Sequence, residues 1–81
     1  MDCRILVDVR PDACTVSLAG HLRAEQVPEL CRVCATGTSP VFVDLTDLLS
    51  ADAIGIDALR RLRRGGVEFV GVAQYLRRLL V

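Results

Sequence analysis

The chain contains no lysine and no tryptophan, and its only aromatic residues are Phe42, Phe69 and Tyr75. Ten arginines are matched by ten acidic residues, so the formal net charge is zero. Without a net field, and with few rings on which bases could stack, nucleic acid is not an expected partner. Long apolar runs are missing too. The first apolar stretch, residues 5–9, is interrupted by Asp8. It is too short for a secretory signal core or a membrane span. The expectation is a cytoplasmic protein with no direct membrane insertion. Its four cysteines, Cys3, Cys14, Cys31 and Cys34, are then expected to be reduced. There is no internal repeat, low-complexity tract or linker, and 81 residues predict one domain, 1–81, around one small core. What the chain has in excess is apolar residues, at 52%. A domain this small cannot hide them all, which predicts a partner or a second copy.

The hydrophobic pattern predicts the order β-β-α-β-α-β-α. Ile5, Val7 and Val9 sit at period two. Arg10-Pro11-Asp12-Ala13 is a turn signal, and Cys14, Val16 and Leu18 repeat the alternation. Together they predict an antiparallel hairpin that Gly20 ends. Residues 23–35 read as a helix whose apolar face is Val27, Leu30, Cys31 and Cys34. Pro28 places its regular part from about Gln26. The run Thr36-Gly37-Thr38-Ser39-Pro40 stops it. Residues 41–45 suit a short central strand buried on both faces. A loop over 46–51 follows, then a helix over 52–64 with Ile54, Ala58, Leu59 and Leu62 buried. Gly65-Gly66 ends that helix, residues 67–72 form a strand, and residues 75–80 a last short helix. Crossovers through helices join parallel neighbours, so the fold class is α/β: a mixed four-stranded sheet with helices packed on it.

Few residues offer chemistry. Cys31-x-x-Cys34 lacks the second ligand pair that zinc needs. It also lies at the end of a helix, not at its start, where a dipole would activate a thiol. Both cysteines are expected to pack as small hydrophobes. His21 follows the end of the second strand, and no motif brings a serine or cysteine nucleophile to it, so it reads as a rim histidine. Asp44, Asp47, Asp52 and Asp57 make one rim acidic, but the ligand spacing of a metal site is absent and no metal is expected. Arg60, Arg61, Arg63 and Arg64 suit the negative end of a helix. Asp52 has the position of an N-cap, and Gly55 that of a close approach in the first turn. Nothing pairs a nucleophile with a base, so no enzyme activity and no cofactor are expected.

Four segments together resemble the STAS family, the anti-sigma factor antagonist domains. Val16-Ser17-Leu18-Ala19-Gly20-His21-Leu22 looks like the second strand of that family with its closing glycine. Val41-Phe42-Val43-Asp44-Leu45 looks like its central strand. Asp52-Ala53-Ile54-Gly55-Ile56 falls where the family shows Asp-Ser-Ser-Gly-Leu, and residues 70–80 match its last strand and following helix. The resemblance implies a STAS fold and a non-enzymatic module that docks a protein partner. In the family the first serine of that motif is phosphorylated by a partner kinase. Here the position is Ala53, which has no hydroxyl, and the next is Ile54. The loop then resembles a docking surface without its phosphoswitch, formed by Ser50, Asp52, Ala53, Ile54, Gly55 and Asp57. Ser50, three residues upstream, is expected to act as a polar loop residue.

The implied partner is an anti-sigma factor or a serine kinase of that type, or the ATPase subunit of a bacterial lipid-transport complex. The alternative is a STAS domain that binds a small ligand, a lipid or a nucleotide, at the helix start or between helix and sheet. A further expectation concerns the tail. Many members continue past the third helix, and here the sequence stops at Val81. Leu76, Leu79, Leu80 and Val81 would be partly uncovered and favour a homodimer.

Overall fold

The computed structural model describes residues 3–35 and 40–80. Two strands open it, β1 over Cys3–Val9 and β2 over Cys14–Leu22. They pair antiparallel from Cys3 opposite Gly20 to Val9 opposite Cys14. The Arg10 N–H donates to the Ala13 carbonyl at 2.8 Å and closes the turn. A 3-10 turn over Ala24–Gln26 leads into helix α1, Val27–Ala35. The expected stop after it, residues 36–39, lies outside the described residues. Strand β3 spans Val41–Ala51, helix α2 Ala53–Arg64, strand β4 Glu68–Val70 and helix α3 Gln74–Leu80. The sheet order is β1-β2-β3-β4, with β2–β3 and β3–β4 parallel.

The order of elements and the mixed sheet are those the pattern predicts. Strand lengths are not. Gly20 does not end β2, and the expected loop over residues 46–51 is the second half of β3. The cause is a change of spacing. Leu45, Leu48 and Ala51 all reach the core, three residues apart. A regular strand would turn every other one of them outward. Two irregularities absorb the mismatch, each inserting one extra residue in β3. Ser17 pairs with Asp44 but Ala19 with Asp47, and Gly20 pairs with Leu48 but His21 with Ser50. Gly20 sits beside the second irregularity at φ +94°, a conformation that suits glycine.

The core lies on one face of the sheet. Val16 and Leu18 of β2 and Val43 and Leu45 of β3 are fully buried against Leu30 of α1, Leu59 of α2 and Leu76 of α3. The alternate residues Thr15, Ser17, Phe42 and Asp44 are only half-buried. The central strand is therefore not buried on both faces. In α1 the third buried residue is Val33, while Cys31 and Cys34 are half-buried. Burial pushes the Cys34 thiol up to about 11, reinforced by Cys31 and Cys14. In α2, Ile56 is buried and Ile54, assigned to the buried stripe from sequence, is 54% exposed. Of the leucines of α3, Leu76 and Leu80 are buried and Leu79 is 42% exposed, so the tail expected to be partly uncovered is largely covered; Val81 lies outside the described residues.

Candidate functional site

The junction of β3 with α2 is built around Asp52. Its backbone N–H donates to the Leu22 carbonyl at 2.9 Å, which ties α2 to the end of β2. One carboxylate oxygen, Oδ1, accepts from the Gly55 N–H at 2.7 Å and caps α2. The other, Oδ2, accepts from the Ala24 N–H at 3.0 Å and ties in the turn before α1. One side chain thus joins three chain segments, and its capping role leaves the residue itself exposed.

Gly55 is buried where α2 meets β2. A Cβ there would stand 3.0 Å from the Leu22 carbonyl oxygen and 3.1 Å from Leu22 Cγ. Its role is close approach. Ala53 and Ile54 are exposed beside it, and Asp57 is exposed one turn on, paired with Arg61 at 3.2 Å. Leu49, pushed outward by the second irregularity of β3, is 66% exposed. Asp52, Ala53, Ile54 and Asp57 therefore share the accessible start of one helix, while Gly55 lies beneath them. Ser50 belongs to the strand.

Ser50 has a partner that sequence reasoning missed. His21 Nδ1 lies 2.6 Å from Ser50 Oγ, because the two residues are opposite each other in the β2–β3 pairing. No local signal joins positions 29 apart; only the register does. The expectation of a rim histidine holds for place, not for isolation from a serine. Among the described residues Ser50 is the one side chain that His21 hydrogen-bonds. The pair thus lacks the third group that orients the base in a nucleophilic triad.

The acidic rim is dispersed into local roles. Asp44 Oδ1 accepts from the Thr46 hydroxyl at 2.6 Å and its backbone N–H at 2.9 Å, which holds the Asp44 carboxyl below its ordinary range. Asp52 caps and Asp57 pairs with arginine. Among the described residues no three or more histidine, cysteine or acidic side chains are grouped as metal ligands. Two arginines of the α2 cluster serve the end of α3: Arg60 donates to the Leu79 carbonyl at 2.6 Å and Arg63 to that of Leu80 at 2.9 Å. An open cleft of about 700 Å³ runs along β4 and α3, lined among others by Arg63, Phe69, Val72, Arg77 and Leu80. It shares no residue with the β3–α2 junction.

An antiparallel opening pair continued by parallel strands, with helices on one face, is the STAS fold. The similarity extends to solved structures. The chain resembles an antisigma-factor antagonist STAS domain from Rhodobacter sphaeroides at a TM-score of 0.65 and 18% identity, over 85% of this chain and 86% of that one. It also resembles an uncharacterised protein with a SpoIIAA-like fold from Shewanella loihica, at a TM-score of 0.59 and 15% identity, over 91% and 70% of the two chains. At these identities the likeness is one of fold. No family model and no curated protein matches the sequence. Among the described residues no helix is long and apolar enough to cross a membrane.

Proposed function

We propose that this chain is a non-enzymatic docking module of the anti-sigma factor antagonist kind, one STAS-like domain over 1–81, working without a serine phosphoswitch. The observation that carries the reading is the start of α2. Ile54 is exposed there between the carboxylates of Asp52 and Asp57, and position 53 is an alanine. An exposed apolar residue rimmed by charge is the anatomy of a contact surface. The partner surface would be apolar with flanking basic groups. The partners implied by the STAS resemblance are an anti-sigma factor or serine kinase of that class, or the ATPase of a lipid transporter. Alanine at position 53 leaves the surface permanently in its unphosphorylated form, so binding is constitutive and takes place in the cytoplasm.

The small-ligand alternative has one observation in its favour, the cleft along β4 and α3 with Arg63 and Arg77 beside Phe69 and Val72. That lining suits an amphipathic anion. It lies away from the α2 start, so the two readings make different predictions for the same variant.

The test compares proteins captured by wild type and by Ala53→Glu. Glutamate in a first helical turn is compatible with the helix dipole, so the fold is retained. It places a negative charge where a phosphate would sit. The expected result is one partner held by wild type and lost by the variant. Capture of the same proteins by both, or of none by either, overturns the docking reading.

A further inference from the structure

The two edges of the sheet are protected very differently. β4 is three residues long and carries Glu68. β1 is seven residues long, contains no proline, and among the described residues pairs with β2 alone. Its exposed side chains include Leu6 at 57%, Val7 at 44% and Val9 at 76%. A long, apolar, unpaired edge is a template for another strand. Among the described residues β1 carries three exposed large apolar side chains, whereas β3 and β4 carry one each, Leu49 and Val70.

The occupant is indicated by the charges. Arg4 and Asp8 lie two residues either side of Leu6 and point to the same face of the strand as Leu6. Lay a second β1 antiparallel beside the first, with the two-fold axis at Leu6. Each residue then meets the one that makes the sum of their numbers twelve. Arg4 faces Asp8 of the copy, and the reverse pair forms across the axis. On the other face Ile5 meets Val7 and Cys3 meets Val9, so each exposed valine is laid against a better-covered residue of the copy. Directly opposite residues share a face, so both ion pairs flank the Leu6–Leu6 contact on one side of the sheet. Shifting the axis by one residue destroys the match. Centred on Val7, Arg4 would meet Arg10; centred on Ile5, Arg4 would meet Leu6. The local pair of Asp8 with Arg10, at 3.1 Å, engages one carboxylate oxygen and leaves the other for the copy.

We propose that the edge of β1 is a homodimer interface, in which two copies pair antiparallel about Leu6 to form one continuous eight-stranded sheet. The interface is isologous and closed, as a two-fold contact must be. It uses a different surface from the tail of α3, and it stands independently of the docking reading.

Charge reversal and its rescue test the register. Sedimentation velocity over a wide concentration range is expected to show wild type reaching dimer mass. Asp8→Arg sets arginine opposite Arg4 at two symmetric positions and is expected to weaken the dimer about tenfold or more. The double variant Arg4→Asp with Asp8→Arg restores opposite charges and is expected to restore the dimer. So is an equimolar mixture of the single variants Arg4→Asp and Asp8→Arg, neither of which pairs well with itself. Both positions are exposed, and circular dichroism identical to wild type checks that each variant is folded. Wild type that stays monomeric overturns the proposal. So does a dimer that Asp8→Arg leaves intact, which would put the contact on another surface, and so does failure of both the double variant and the mixture to rescue.

Discussion

Gly71 shows how one residue can be fixed from two sides. Its φ is +66°, in the left-handed region. A Cβ there would collide with the Thr46 hydroxyl and stand 2.9 Å from Asp44 Oδ1 and 3.0 Å from the Thr46 nitrogen. Those atoms are already bound to one another in the Asp44–Thr46 turn. Gly71→Ala therefore combines left-handed strain with overpacking and is expected to cost about 3 kcal/mol. Urea denaturation measures it, and a loss below about 1 kcal/mol would mean that the turn yields. The mid-strand glycine at position 20 shows the opposite relation between sequence and structure. A glycine is read most readily as a strand end, and here it lies within β2, beside the bulge of β3.

At the scale of elements, α2 depends on its first turn. Asp52 caps it, accepts from Ala24, and through its N–H holds the Leu22 carbonyl. Asp52→Ala removes two accepted bonds and is expected to cost about 1 to 2 kcal/mol, whereas Asp52→Asn keeps a capping oxygen and costs less. Chemical denaturation of the two variants checks the order, and equal losses would count against capping. The C-terminal ends of α2 and α3 are joined by Arg60 and Arg63 at the last carbonyls of α3. The arginine cluster is thus in part structural, which composition alone leaves undecided.

For the whole molecule, the half-buried Cys34 couples stability to alkaline pH. Its thiol, near 9.0 in an unfolded chain, is pushed to about 11 by burial in the folded one. Between those values the unfolded chain gives up a proton that the folded chain keeps. Deprotonation then favours unfolding, so this contribution to stability is full below pH 9.0 and is lost as pH rises toward about 11. Melting temperature is expected to fall across that window, with a shallower slope in Cys34→Ala. Burial also raises Cys3 and Tyr75, so some slope persists in the variant. An unchanged slope would show that Cys34 is accessible in solution.

The sequence by itself determined the order of elements, the antiparallel hairpin, the parallel crossovers and the cap at Asp52. These rest on local spacing and turn chemistry, which neighbouring residues carry. The tertiary structure alone decided three things. It extended β3 through the expected loop, because Leu45, Leu48 and Ala51 reach one core at three-residue spacing only when β3 bulges twice against β2. It placed His21 on Ser50, a contact of register across 29 positions. It also buried Leu76 and Leu80 while leaving Leu6, Val7, Val9 and Ile54 in solvent. Val7 and Val9, opposite Val16 and Cys14, are on the side of the sheet that carries the core yet lie beyond the reach of the helices. Leu6, opposite Ser17, faces the other side, and no pattern within a single strand records which of its faces its neighbours cover.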